Sequence, residues 1–201
     1  MPSFLPSDAR ALWRAFLVNA TDLVDDARLL VDAGRNARAT ALLITAWCEI
    51  GRAMVLAHHF GPSWRLGSER ALTISEDALR DGTSLVRYCR DFVVGHVLED
   101  FWGLPAPAER SRPREAALEE AQLALRNRRW STFVTIDPAT IAPRLPSALF
   151  ADDIGDDVRR TAEAIGMLLI VDRQRTGTID DLPASLRARL PAEVAPVESD
   201  D

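Results

Sequence analysis

The 25-residue run NARATALLITAWCEIGRAMVLAHHF, residues 36–60, decides the fold. Ala39, Leu42, Leu43, Ala46, Ile50, Ala53 and Met54 recur on one face at the period of an α-helix, and Gly61-Pro62 follows as the expected stop. Upstream, Leu12, Phe16, Leu23, Ala27 and Leu30 form a second helical stripe. Ser7 is its expected N-cap and Gly34 its expected end. So short a connection between two long amphipathic helices predicts an antiparallel hairpin.

Working outward, Pro62 to Thr73 reads as a connection of Gly, Ser, Pro and Trp. Helical periodicity resumes near Ser75, weakens at Gly82 and strengthens through Leu85, Cys89, Phe92, His96 and Phe101. Gly103 to Pro113 reads as a loop, and Arg114 to about Arg129 as a largely polar helix. Trp130 to Ile136 alternates aromatic and β-branched residues, which predicts a short extended segment over 131–136. A last helix is expected from Asp152 to about Asp172. The whole is a mostly α chain with one domain over 1–182. Residues 183–201, rich in proline and acid, are expected to form a flexible tail.

Composition narrows the function classes. The chain has 201 residues, 47% of them hydrophobic, enough for one substantial core. Its formal net charge of −6 disfavours a general nucleic-acid coat while leaving room for a small local RNA site. The opening residues lack the basic and apolar regions of a signal peptide, and no run of about 18 uncharged apolar residues occurs. A cytoplasmic protein with no membrane partner is the expectation. Cys48 and Cys89, both inside apolar helical patterns, read as packed, reduced thiols.

Three polar groupings are candidates for chemistry. Asn19 interrupts an apolar stripe and needs a partner, because a buried, unpaired amide costs about 1–3 kcal/mol. Glu49 and Arg52 are spaced as an i, i+3 ion pair. These three make a supporting polar network, either fixing the register of the hairpin or backing an adjacent site. His58 and His59 sit at the expected end of the second helix, where a capping role is the simpler reading. No metal-ligand spacing accompanies them, so neither a metal nor a cofactor is expected.

The third grouping is Arg90-Asp91-Phe-Val-Val-Gly95-His96. An arginine followed by histidine at this spacing resembles the signature of HEPN-domain ribonucleases, whose fold is also a small helical bundle. On that reading His96 moves a proton at the ribose 2′-hydroxyl or the leaving oxygen. Arg90 stabilises phosphate charge and Asp91 orients either partner. A straight helix would separate Arg90 and His96 by about 120° and about 9 Å. HEPN proteins bring such motifs together across a dimer, and a bend at Gly95 is a second route.

Three segments together resemble the AbiV family of abortive-infection proteins. They are Asn19-Ala20 through Asp22-Leu23 with Asp26 to Leu30; Ala39 to Leu43, Ala46 and Glu49-Ile-Gly-Arg52; and Arg126 to Asp137. The resemblance covers roughly residues 10–140. It departs at Arg52, which stands for the family's usual Lys, at Glu99, where a basic residue is expected three positions after His96, and at Phe133 in place of Tyr. What it implies is a HEPN-like antiparallel bundle acting in phage defence by arresting translation. As an enzyme, the protein would be a metal-independent endoribonuclease using Arg90, His96 and Asp91. As a non-enzyme, it would be a helical sensor or translation inhibitor working by protein contacts. The implied partners are a second copy of the chain, an RNA substrate, and a phage protein trigger or an antitoxin.

Overall fold

The computed structural model describes residues 3–92, 114–137, 139–176 and 182–190, without the side chains of 90–92, 114–117, 136 and 175. Helices α1 (Pro6–Asp32) and α2 (Asn36–Leu66) form the antiparallel hairpin. Only Ala33 to Arg35 join them. Gly34, at φ +67°, lets its own N–H reach Val31 O at 2.8 Å and the Arg35 N–H reach Leu30 O at 2.7 Å.

The interface of the hairpin alternates small and large side chains. From α1 it takes Ala9, Trp13, Leu17, Ala20, Val24 and Ala27, all fully buried. Ala27 is buried as expected, and the rest of the stripe is rotated by one residue from the one expected. Leu12, Phe16, Leu23 and Leu30 pack partly buried on its shoulder, because the alanines permit the closer helix approach. On α2, Ala39, Leu43, Ala46, Ile50 and Ala53 are buried as expected. So are Ile44, Cys48, Gly51 and Val55 on other faces, because α2 is packed from more than one side.

Both ends of the hairpin differ from expectation. Leu5 is the N-cap of α1, Pro6 takes the first helical position, and exposed Ser7 lies inside the first turn. Proline suits that position, since its missing N–H would be unpaired there anyway. Helix α2 continues through Gly61-Pro62 to Leu66 and ends where Gly67 turns left-handed at φ +61°. An interior proline costs about 3 kcal/mol. Tertiary contacts offset it: the Trp64 ring meets Trp13 of α1 edge-on at 6.1 Å and its indole N–H donates to Pro6 O at 2.8 Å.

A two-residue antiparallel bridge joins β1 (Ser3–Phe4) to β2 (Leu72–Thr73). After α3 (Glu76–Arg80), helix α4 (Gly82–Phe92) is capped by Asp81, which accepts from the Thr83 N–H at 3.1 Å and the Ser84 hydroxyl at 2.5 Å. Helix α5 (Arg114–Thr132) extends past the expected boundary, so Trp130 to Thr132 are helical. The Ser131 and Thr132 hydroxyls both donate to Arg128 O at 2.9 Å, a bond that ties them into the helix. The extended segment is confined to β3 (Thr135–Ile136), paired with β4 (Pro143–Arg144). A single turn, α6 (Pro146–Leu149), leads towards α7 (Gly155–Thr176).

Helix α7 packs on the hairpin through Val158, Ile165, Leu168 and Leu169. The Trp47 indole N–H donates to the Thr161 hydroxyl at 2.9 Å. The segment expected to begin the flexible tail carries α8 (Ala184–Arg187), and Leu182, Leu186 and Leu190 are buried in the main core. Residues 191–201 lie outside the described residues. A smaller cluster, Ile44, Cys48, Val86, Ala121 and Ala124, joins α2, α4 and α5. Helix α2 is long and apolar enough to span a membrane, yet 67% of its most apolar window is buried inside the bundle.

Candidate functional site

The supporting network predicted from spacing is assembled at one turn of α2. Glu49, 8% exposed, accepts from Arg52 Nη1 at 2.6 Å and from the side chain of Asn19 on α1. Asn19 itself is exposed rather than buried, so it reaches over the helix interface to its partner. Arg52 also donates through Nε to Leu79 O at 3.0 Å and lies 5.8 Å from the centre of the Phe16 ring. The network thus ties α1, α2 and the end of α3 together. Burial pushes the Glu49 carboxyl above its ordinary range, and the charge of Arg52 together with the Asn19 and Arg52 hydrogen bonds partly opposes this.

Gly51, inside this turn, explains why the helices meet here. A Cβ at this position would lie 2.3 Å from Leu85 O, so only glycine lets the backbone of α4 approach α2 this closely. Leu85, Val86 and Cys89 of α4 are fully buried by the contact. Arg90 and Asp91 occupy the last turn of that same α4. Their side chains, and the whole of His96, lie outside the described residues, as does Glu99. The spacing of Arg90 and His96 therefore stands as a feature of sequence, with α4 anchored at Gly51 as its base.

His58 and His59 stand inside α2, since the helix runs on to Leu66, and both are exposed with rings 5.4 Å apart. Among the described residues no three His, Cys, Asp or Glu side chains converge as metal ligands. Cys48 and Cys89 are free thiols and buried. Burial also raises the pKa of the Cys48 thiol, opposed by the charges of Arg128 and Arg52.

Sequence reasoning missed a second buried charge pair. Arg10 on α1 donates through both terminal nitrogens to the two carboxylate oxygens of Asp172 on α7. The guanidinium lies 4.6 Å from the Trp13 ring centre and 5.0 Å from that of Trp64. The partners are 162 positions apart, and no local spacing signals such a pair.

Taken together, these features define a small helical-bundle domain whose polar turn on α2 holds α1, α3 and α4 in register. Residues 8–129 match the HEPN_AbiV family, described as AbiV. The match takes in more than half of the chain, including nearly all of α1, α2, α4 and the Arg90 to His96 stretch, and the chain belongs to that family. Comparison with curated proteins and with solved structures returned no match.

Proposed function

We propose that this abortive-infection protein is a metal-independent endoribonuclease of HEPN type that arrests translation in the cytoplasm of an infected cell. The observation that carries the reading is the family match, because residues 8–129 include Arg90, Asp91 and His96 at the HEPN spacing. In this reading His96 is the proton carrier, Arg90 neutralises phosphate charge in the transition state, and Asp91 orients them. Two chains supply the two motifs of one cleft, and a phage protein or the loss of an antitoxin releases the activity. The anchoring of α4 at Gly51 supports the reading, since it gives the motif a rigid start.

A non-catalytic translation inhibitor of the same fold is the second reading. Glu99, a carboxylate three positions after His96 where the family resemblance leads one to expect a base, favours it.

The test is RNA integrity in cells expressing the wild type, Arg90→Ala or His96→Ala, with folding of each variant checked by circular dichroism. Fragmentation that disappears in both variants is the expected result. Growth arrest with intact RNA, or fragmentation that survives both substitutions, overturns the enzyme and leaves inhibition by binding.

A further inference from the structure

The C-terminal end of α5 concentrates positive charge that nothing in the described structure neutralises. Arg126, Arg128 and Arg129 are close together on its last two turns, and among the described residues no ion pair holds any of them, in a chain of net charge −6. Arg128 has only a 4.0 Å contact to the Cys48 sulfur, and Arg126 lies 5.3 Å from the Trp130 ring centre. Thr45 of α2 with Leu125, Arg128, Arg129, Thr132 and Phe133 lines a groove of about 520 Å³ between the two helices, and no carboxylate lines it. Phe133, which lines it, is 62% exposed, and Trp130, outside the lining and paired with Arg126 on the neighbouring face of α5, is 37% exposed.

Basic residues near a helix C-terminus complement the helix dipole, which accounts for an arginine there. It does not account for large aromatic rings left in water beside three of them. Arginines that track a phosphate backbone, interleaved with aromatic faces on which bases stack, are the physical pattern of a single-strand binding surface. Apolar groups alone would suit a protein partner, but three unpaired guanidinium groups select a polyanion.

We infer that the groove between α2 and the end of α5, with the α5 face beside it, is a docking surface for single-stranded RNA, Arg128 and Arg129 on phosphates and Phe133 under a base in the groove, and Arg126 and Trp130 extending the strand's path outside it. The inference rests on the ribonuclease reading for its biological sense, because it names where the substrate strand is held away from the Arg90 and His96 motif. Its physical content is separable, since binding here requires no cleavage.

The experiment uses the full chain and a fluorescent 2′-O-methyl oligouridine of about 15 nucleotides, a length suited to such sites, which neither pairs with itself nor offers a 2′-hydroxyl for cleavage. Affinity is read by anisotropy across a salt series. Changing Arg126, Arg128 and Arg129 together to Gln should weaken binding at least about tenfold and flatten the salt dependence by about two in log–log slope. Phe133→Ala or Trp130→Ala should weaken it about tenfold with the slope unchanged, and Trp130→Phe should restore it. Arg70→Gln, at an exposed site elsewhere, should change nothing.

Several results would overturn the groove. These are absence of binding by the wild type, undiminished binding by the triple variant, or equal displacement by polyglutamate, which would point to an acidic protein. A dimer that Phe133→Ala dissociates, with no effect on the oligonucleotide, would show a second copy covering this face. Fragmentation in cells that needs His96 but not the three arginines keeps the nuclease and removes the groove. Binding that needs the arginines, with no fragmentation dependent on His96, does the reverse.

Discussion

The Arg10–Asp172 pair and the Glu49–Arg52 pair are both largely buried, yet they do different work. The first closes the chain, joining α1 to α7 across 162 positions between two tryptophan rings. The second lies within one turn of α2 and acts outward, through Asn19 to α1 and through Leu79 to α3. Their side chains are 11% and 8% exposed in the first pair, and in the second Arg52 is 28% and Glu49 11% exposed. The difference separates a clasp from a spacer. Losing one side of the clasp strands a charge in a largely buried site, whereas the spacer has a partly exposed arginine and spare partners.

The largest effect is therefore expected at the clasp. Asp172→Ala leaves the Arg10 guanidinium buried and unpaired, which typically costs about 3–5 kcal/mol. Replacing both partners by apolar residues, Arg10→Met with Asp172→Leu, should recover part of that loss, since the pair's desolvation penalty disappears while the nearby Arg14 loses the opposing charge of Asp172. Urea unfolding followed by circular dichroism measures both. A single variant within about 0.5 kcal/mol of the wild type, the range of an ordinary surface change, would reduce the clasp to an incidental contact.

At the spacer, the backbone matters more than the charge. Gly51→Ala gains about 1 kcal/mol of helix propensity. It also places a methyl group 2.3 Å from Leu85 O, an overpacking that forces α4 away and costs about 1–3 kcal/mol. The net destabilisation should be smaller than that of Asp172→Ala. Because α4 carries Arg90 and Asp91, it should also lower the proposed RNA fragmentation at temperatures where the variant remains folded. A variant as stable and active as the wild type would mean that α4 does not depend on this contact for its position.

What was legible in the sequence follows the same division. The hairpin, the Glu49–Arg52 pair and the helical class come from residues a few positions apart, where periodicity reports geometry. The exact face of α1 was misread by one position because Ala9 and Ala20 carry little hydrophobic signal although they set the closest approach. The end of α2 differs from expectation because Gly61-Pro62 is a local stop signal, overruled by Trp64 anchoring to Trp13 and Pro6 of α1. Residues 183–190 read as tail because the proline- and acid-rich composition of 183–201 as a whole masks Leu186 and Leu190, which reach the core. The Asp172 partnership is invisible in sequence for the simplest reason: nothing near either residue points to the other. Of the candidate site, the sequence supplies Arg90, Asp91 and His96, and the structure contributes the fixed base of α4 beneath them.

The smallest expected effect distinguishes burial from pairing at Glu49. A carboxyl whose folded-state pKa lies above its unfolded value holds its proton more tightly when folded, so its favourable contribution is complete below the ordinary range near 4.5 and is lost as pH rises through the raised folded value. Glu49→Gln keeps the shape and an acceptor for Arg52 but cannot ionise. Stability of the wild type relative to Glu49→Gln should therefore fall as pH rises above the ordinary carboxyl range. Urea midpoints of the two proteins at matched pH steps decide it. A relative stability that rises with pH would mean that Arg52 and Asn19 outweigh desolvation. The spacer would then be a second clasp, and the contrast with Arg10–Asp172 would be one of reach alone.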